Sequence, residues 1–112
     1  MLRYKLNEYM TIDGRKPFNE WLLGLKDIRA RARIMARLDR LELGNLGDYI
    51  SVGEGILELR IFYGPGYRVY FSLENRDAIL LLVGGTKATQ RSDIRMAKTY
   101  RADCRRRING DQ

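Results

Sequence analysis

Two arginines, Arg60 and Arg68, flank a glycine-proline-glycine turn in "ELRIFYGPGYRVYF", residues 58–71. Side chains alternate faces along a strand, so Glu58, Arg60 and Phe62 share one face and Leu57, Leu59 and Ile61 the other. On the partner strand Arg68, Tyr70 and Ser72 lie opposite to Tyr67, Val69 and Phe71. A three-residue loop at 64–66 pairs Tyr63 with Tyr67, and sets Phe62 opposite Arg68, Arg60 opposite Tyr70 and Glu58 opposite Ser72. The apolar sets coincide in that register, Ile61 with Val69 and Leu59 with Phe71. Glu58, Arg60, Arg68 and Tyr70 therefore gather on the other face. Forked guanidiniums fit phosphate oxygens and aromatic rings stack bases, so this face suits a phosphodiester. A structural pairing of Arg60 with Glu58, with the tyrosines filling the sheet, is the other reading, and spacing leaves the two open.

The residues that are missing narrow the chemistry further. The chain has no histidine and a single cysteine, Cys104. That argues against an internal disulfide, a zinc site and any nucleophile activated by histidine. Catalysis, if present, must draw on Lys, Arg, Tyr, Asp or Glu, and no cofactor is expected. Basic residues outnumber acidic ones 21 to 14, a net charge of +7, which points to a polyanionic partner, nucleic acid or acidic protein. "GGTK" lacks the GxxxxGK[ST] spacing of a phosphate-binding P-loop. Lys87 nevertheless follows a buried strand, where loop residues commonly carry function.

The elements that must position these groups can be read from periodicity. A first strand is expected over 2–10, with Leu2, Tyr4, Leu6 and Glu8 on one face. Pro17 suits the first position of a short helix, 17–25, that carries Phe18, Trp21, Leu22 and Leu25. A longer helix over 27–43 is capped by Asp27 and stopped by Gly44, with Ile28, Ala32, Met35, Leu38 and Leu41 as its stripe. "DYISVG" is read as a candidate short strand before strands at 56–63 and 67–73, and "AILLLV", 78–83, reads as a buried central strand. A basic helix over 90–108 closes the chain and packs Ile94, Ala97, Cys104 and Ile108. The order predicts an α+β fold, a mostly antiparallel sheet with helices on one face.

With 112 residues, one domain over 1–112 is expected. No apolar run approaches the ~20 residues of a membrane span, and "MLRYKLNEYM" does not read as a signal peptide. A cytoplasmic location without a membrane partner is the expectation.

The order of elements, with "ELRIFYGPGYRVYF", "AILLLVGGTKATQ" and "RSDIRMAKTYR", resembles the RelE/HigB superfamily of type II toxin–antitoxin toxins over roughly residues 2–105. It looks most similar to the HigB-like addiction module killer proteins. The resemblance implies a small twisted antiparallel sheet with two N-terminal helices packed on one face and a C-terminal helix. It implies a metal-independent endoribonuclease that cuts translated mRNA on the ribosome and is neutralised by a HigA-like helix-turn-helix antitoxin. In that chemistry the ribose 2′-OH attacks the adjacent phosphate and leaves a 2′,3′-cyclic end. Carried over, Arg68 stabilises the phosphate, Lys87 contacts it or protonates the leaving oxygen, and Arg60 holds a recurrent, partly structural position. Tyr63, Tyr67, Tyr70, Gln90 and Arg91 are the candidate RNA contacts, with Tyr100 a further candidate for stacking. RelE-type toxins carry lysines where this chain has Ile56 and Glu58, and the histidines of some HigB proteins are absent. The proton acceptor is thus unassigned, with Glu58 a candidate that could instead be Arg60's partner. A non-catalytic basic binding module, or a degenerate toxin that only binds its antitoxin, is the alternative.

Overall fold

A computed structural model describes residues 3–110. Five strands form one sheet: β1 (Lys5–Glu8), β2 (Tyr49–Gly53), β3 (Ile56–Ile61), β4 (Tyr67–Leu73) and β5 (Ala78–Thr86), in the order β1-β5-β4-β3-β2. β2 through β5 run antiparallel, while β1 pairs with β5 in parallel, Lys5 beside Ala78 and Glu8 beside Leu81. The sheet is therefore mixed. Leu2, expected at the start of the first strand, lies outside the described residues.

The local signals at the helix ends work as their chemistry dictates. Pro17 opens α1 (Pro17–Leu23), where its missing N–H costs no hydrogen bond. The Asp27 carboxylate accepts from the N–H groups of Arg29 (2.9 Å) and Ala30 (3.2 Å) and starts α2 (Ile28–Glu42). Gly44, at φ +93°, turns the chain out of that helix. The stripe that α2 buries is Ala30, Ile34, Leu38 and Leu41. Ile28 and Met35, expected inside, are 76% and 45% exposed, and Ala32 is exposed as well.

The helices do not share a face of the sheet. α1 and α2 supply Phe18, Leu22, Ile34 and Leu38 to a core with Leu59, Ile61, Val69 and Phe71. α3 (Gln90–Ile108), entered through a single 3-10 turn at Lys87–Thr89, packs Ala97 against Tyr70, Leu80 and Leu82 on the opposite face. Each fully covered Leu or Phe contributes about 1.5–3 kcal/mol of burial, so β5, apolar on both sides, is the natural centre of a three-layer arrangement. Ile94 and Cys104 are partly buried against α3's core, whereas Ile108 is 70% exposed and takes no part in it.

β5 runs three residues past the apolar stretch because its two glycines admit bulky neighbours. A Cβ on Gly84 would lie 2.2 Å from Trp21 Cε3, and one on Gly85 would lie 1.8 Å from Asp93 Oδ2. Tyr70 pairs with Val83 and Phe71 with Leu81, so the register slips by one residue there. Such a bulge reverses the faces of the side chains that follow. It turns Gly84 toward α1 and Gly85 toward α3.

Candidate functional site

The ladder of β3 and β4 stops two residues short of the register that a three-residue loop would give. Arg60 lies directly opposite Arg68, Glu58 opposite Tyr70 and Ile61 opposite Tyr67. The connection is the five residues 62–66. Its tight turn joins Gly66 N–H to the Tyr63 carbonyl at 3.1 Å, with Gly64 at φ +55°, a region that suits glycine. A shift of two preserves the face of every side chain, so Glu58, Arg60, Arg68 and Tyr70 stay together as expected, and only Phe62 departs from that face. That residue leaves the strand and is 78% exposed.

Glu58 is the hub of the polar face. It has no exposed surface. Its Oε2 accepts from Tyr70 Oη (2.9 Å) and Gln90 Nε2 (2.8 Å), and its Oε1 accepts from Arg60 Nε (3.1 Å). Arg68 Nε stands 3.8 Å from Oε1, a charge contact without a hydrogen bond, and that nitrogen has no other partner. Burial works against the carboxylate's charge, but donors from Gln90, Tyr70 and Arg60 and the charge of Arg68 outweigh it and hold its pKa below the ordinary value. Burial and the same carboxylate push the Tyr70 hydroxyl far up. At neutral pH the pair is an anion gripped by a neutral phenol.

The cations emerge where α3 stops covering the face. The Arg60 side chain is 31% exposed and that of Arg68 11%. Arg68 Nη1 donates to the Gly66 carbonyl at 2.7 Å, and Lys87 N–H donates to the same carbonyl at 2.9 Å. The second bond ties the hairpin loop to the residue after β5, and the shared carbonyl places Lys87 beside Arg68. Arg60, Arg68 and Lys87 line one cleft of about 160 Å³ with Phe62, Gly66 and Tyr67. Three cations face one buried carboxylate, which leaves two positive charges uncompensated at the opening. Forked donors and surplus charge suit a phosphate or carboxylate group.

The aromatic residues are placed otherwise than expected. Tyr70 lies fully buried under Glu58 and Tyr67 sits in the α1–α2 core, edge-on to Trp21 at 6.3 Å, so neither ring is open to a base. Tyr63 carries the Arg33 guanidinium 4.5 Å above its ring. Tyr100 stacks on Tyr9 at 4.6 Å, in the core under α3. Gln90 is committed to Glu58, while exposed Arg91 lines a wider groove beside Lys87.

One carboxylate passed over in the sequence is Asp93, in the first turn of α3. It accepts from Thr89 Oγ1 and sits over Gly85, the cross-strand partner of Arg68. Burial raises its pKa against that hydrogen bond. The Gly84-Gly85 pair just ahead of a helix was the available signal, since a strand gives up two side chains only where something else comes close.

Residues 20–106 match the family described as phage-derived protein Gp49-like (DUF891). The chain belongs to the Gp49-like family. That family belongs to the RelE/HigB-like toxin superfamily, in agreement with the resemblance carried by the hairpin and the β5–α3 junction. An uncharacterized protein of Haemophilus influenzae is 53% identical over 81 residues, covering 72% of this chain and 82% of that protein. Membership suggests a RelE/HigB-like toxin with a cognate antitoxin. Among the described residues of this Gp49-like protein, no group of three or more Cys, Asp or Glu could hold a metal ion, and no helix is long and apolar enough to cross a membrane.

Proposed function

We propose that this Gp49-like protein is the toxin of a type II module, of the HigB-like branch. Its proposed activity is metal-independent, ribosome-dependent cleavage of mRNA, neutralised by a helix-turn-helix antitoxin. The observation that carries the reading is the convergence of Arg60, Arg68 and Lys87 on one cleft over a single buried carboxylate.

In this reading Arg68, held by the Gly66 carbonyl and the charge of Glu58, binds the non-bridging oxygens of the scissile phosphate. Those oxygens gain charge as the 2′-oxygen attacks, so a preorganised guanidinium favours the transition state over the ground state. Arg60 supplies the second positive charge. Lys87 donates a proton to the departing 5′-oxygen. The 2′-hydroxyl proton needs an acceptor. Glu58 has no exposed surface and its oxygens are occupied, which makes it a positioning residue for both arginines. Asp93 does not line the cleft, so the proton is assigned to solvent water at its mouth, beside the partly exposed Arg60. Bond breaking balances: one proton leaves the 2′-oxygen, one reaches the 5′-oxygen, and a 2′,3′-cyclic phosphate remains.

The test is induced expression of the chain alone, with RNA ends mapped in a translating extract. Wild type should arrest translation and create new ends within reading frames. Arg68→Ala and Lys87→Ala should each lower the cleavage rate about 100-fold or more, the usual cost of removing one such donor. Full toxicity in both variants would overturn the assignment. Absence of new RNA ends with wild type would overturn the activity and favour a member that only binds its antitoxin.

A further inference from the structure

We propose that Phe62 and the free arginines of α2 form a second nucleotide subsite next to the phosphate cleft, which takes a base and the neighbouring phosphate of single-stranded RNA. The proposal rests on the ribonuclease reading and extends it beyond the reacting phosphate.

The cleft between α2 and the hairpin, about 310 Å³, is lined by Arg33, Ala36, Arg37, Arg40, Ile61 and Phe62. It shares Ile61 and Phe62 with the phosphate cleft. On the other side Lys87 joins the phosphate cleft to the groove at the start of α3, about 570 Å³, where Arg91 and Arg95 lie. The three form one continuous path, and no carboxylate lines any of them. Phe62 stands on the saddle between the first two, its ring open to solvent.

The α2 arginines differ in how far they are committed. Arg37 is used by the fold: its guanidinium donates to the carbonyls of Arg60, Leu46 (3.2 Å) and Asp48 (3.3 Å), and clamps the hairpin to the loop before β2. Arg33 and Arg40 are exposed and form no ion pair among the described residues. Arg33 is held in place over Tyr63. Positive charge alone attracts any polyanion. A bare aromatic ring between two positive clefts matches the alternation of phosphate, base and phosphate, because successive bases stack on such rings while cations track the backbone. Asp and Glu side chains carry charge but no ring to stack on Phe62, so the regular alternation of charge and base in RNA fits the arrangement better than an acidic peptide does.

The decisive measurement is the affinity of the full chain for a fluorescein-labelled hexauridylate whose riboses are 2′-O-methylated and so cannot be cleaved, followed by anisotropy across a salt series. Phe62→Ala should weaken binding about tenfold or more, and Phe62→Trp should retain it. Arg33→Gln with Arg40→Gln should weaken binding and flatten its salt dependence, as loss of phosphate contacts does. All three positions are exposed, so thermal melting should be unchanged for Phe62→Ala and fall only by the small loss of the Arg33–Tyr63 contact in the double variant, which separates the effect from misfolding. Equal affinity across the variants overturns the subsite. Equal competition by a poly-glutamate peptide of the same charge also overturns it, and reassigns the surface to an acidic protein. A wild type that binds no oligonucleotide overturns it too, whereas the nuclease reading stands or falls separately on the RNA ends and Arg68→Ala.

Discussion

Replacing Glu58 by glutamine removes one charge from the centre of the site without changing its shape. The amide can keep one oxygen for Tyr70 and Gln90, which both bond Oε2. Its nitrogen then faces Arg60 Nε and Arg68 Nε, donor against donor, where the carboxylate had accepted at 3.1 Å and held the second guanidinium at 3.8 Å. Breaking one side of a buried pair costs about 3–5 kcal/mol, and Arg60 is partly solvated, so the lower end, roughly 3 kcal/mol, applies after screening. For a chain of this length that corresponds to a fall in Tm of about 12 °C.

The pH dependence gives the same prediction a second edge. Glu58 has its folded-state pKa below the ordinary 4.5, so its charge stabilises the fold fully above that value and ceases to as pH falls through the folded pKa. Urea unfolding of wild type and Glu58→Gln should show a wide gap at pH 7 that narrows below pH ~4.5. The measurement covers each pH at which the wild type remains folded. A Tm within a degree or two of wild type at pH 7, or a gap that stays constant on acidification, would refute the picture of a buried anion holding two arginines.

Two other substitutions probe the supports of the site. Gly85→Ala places a Cβ 1.8 Å from Asp93 Oδ2, and should cost about 1–3 kcal/mol as overpacking does; the double variant with Asp93→Ala should regain most of it in urea unfolding, and a silent single variant would show that the carboxylate does not lie over β5. Tyr9 donates to Asp103 Oδ2 at 2.6 Å and, through burial first and that carboxylate second, has its hydroxyl pKa pushed up to about 12. A raised folded pKa favours the neutral phenol, so the stability it adds is complete below pH ~10 and lost as pH rises toward the folded value. Tyr9→Phe should therefore lower stability by about 1–2 kcal/mol at pH 7, with the difference from wild type closing above pH 10.

The element order, the ends of α1 and α2 and the partition of hairpin side chains between faces were all legible, because each depends on local chemistry: Pro17, Asp27, Gly44 and strict alternation. The stripe of α2 was not. Ile28, Ala32 and Met35 and the observed Ala30 and Ile34 both lead at helical spacing to Leu38 and Leu41, and only the sheet opposite decides between them. The hairpin register failed because Gly64-Pro65-Gly66 resembles a complete loop, whereas Phe62 and Tyr63 also leave the ladder. The largest consequence came from α3. Placed on the second face, it turns Glu58 and Tyr70 from surface residues into core and leaves only the ends of Arg60 and Arg68 in reach of solvent.

That placement explains why two arginines can stand as direct cross-strand partners. Like charges opposite each other destabilise a strand pair by a few tenths to about 1 kcal/mol. Glu58, two residues along the same face, offsets part of that repulsion, but one carboxylate cannot neutralise Arg60, Arg68 and Lys87 together. A further acid in the cleft would relieve the remainder and would also occupy the space a phosphate needs. The chain instead buries its single anion beneath the cations and orients it with Tyr70 and Gln90, so the guanidiniums are fixed in place and still carry net positive charge outward. Rigid donors with uncompensated charge have the most to gain from a group whose negative charge grows during reaction. On the proposed reading, the repulsion across β3 and β4 is relieved by the phosphodiester itself, most fully when the 2′-oxygen has attacked and the phosphate carries its greatest charge.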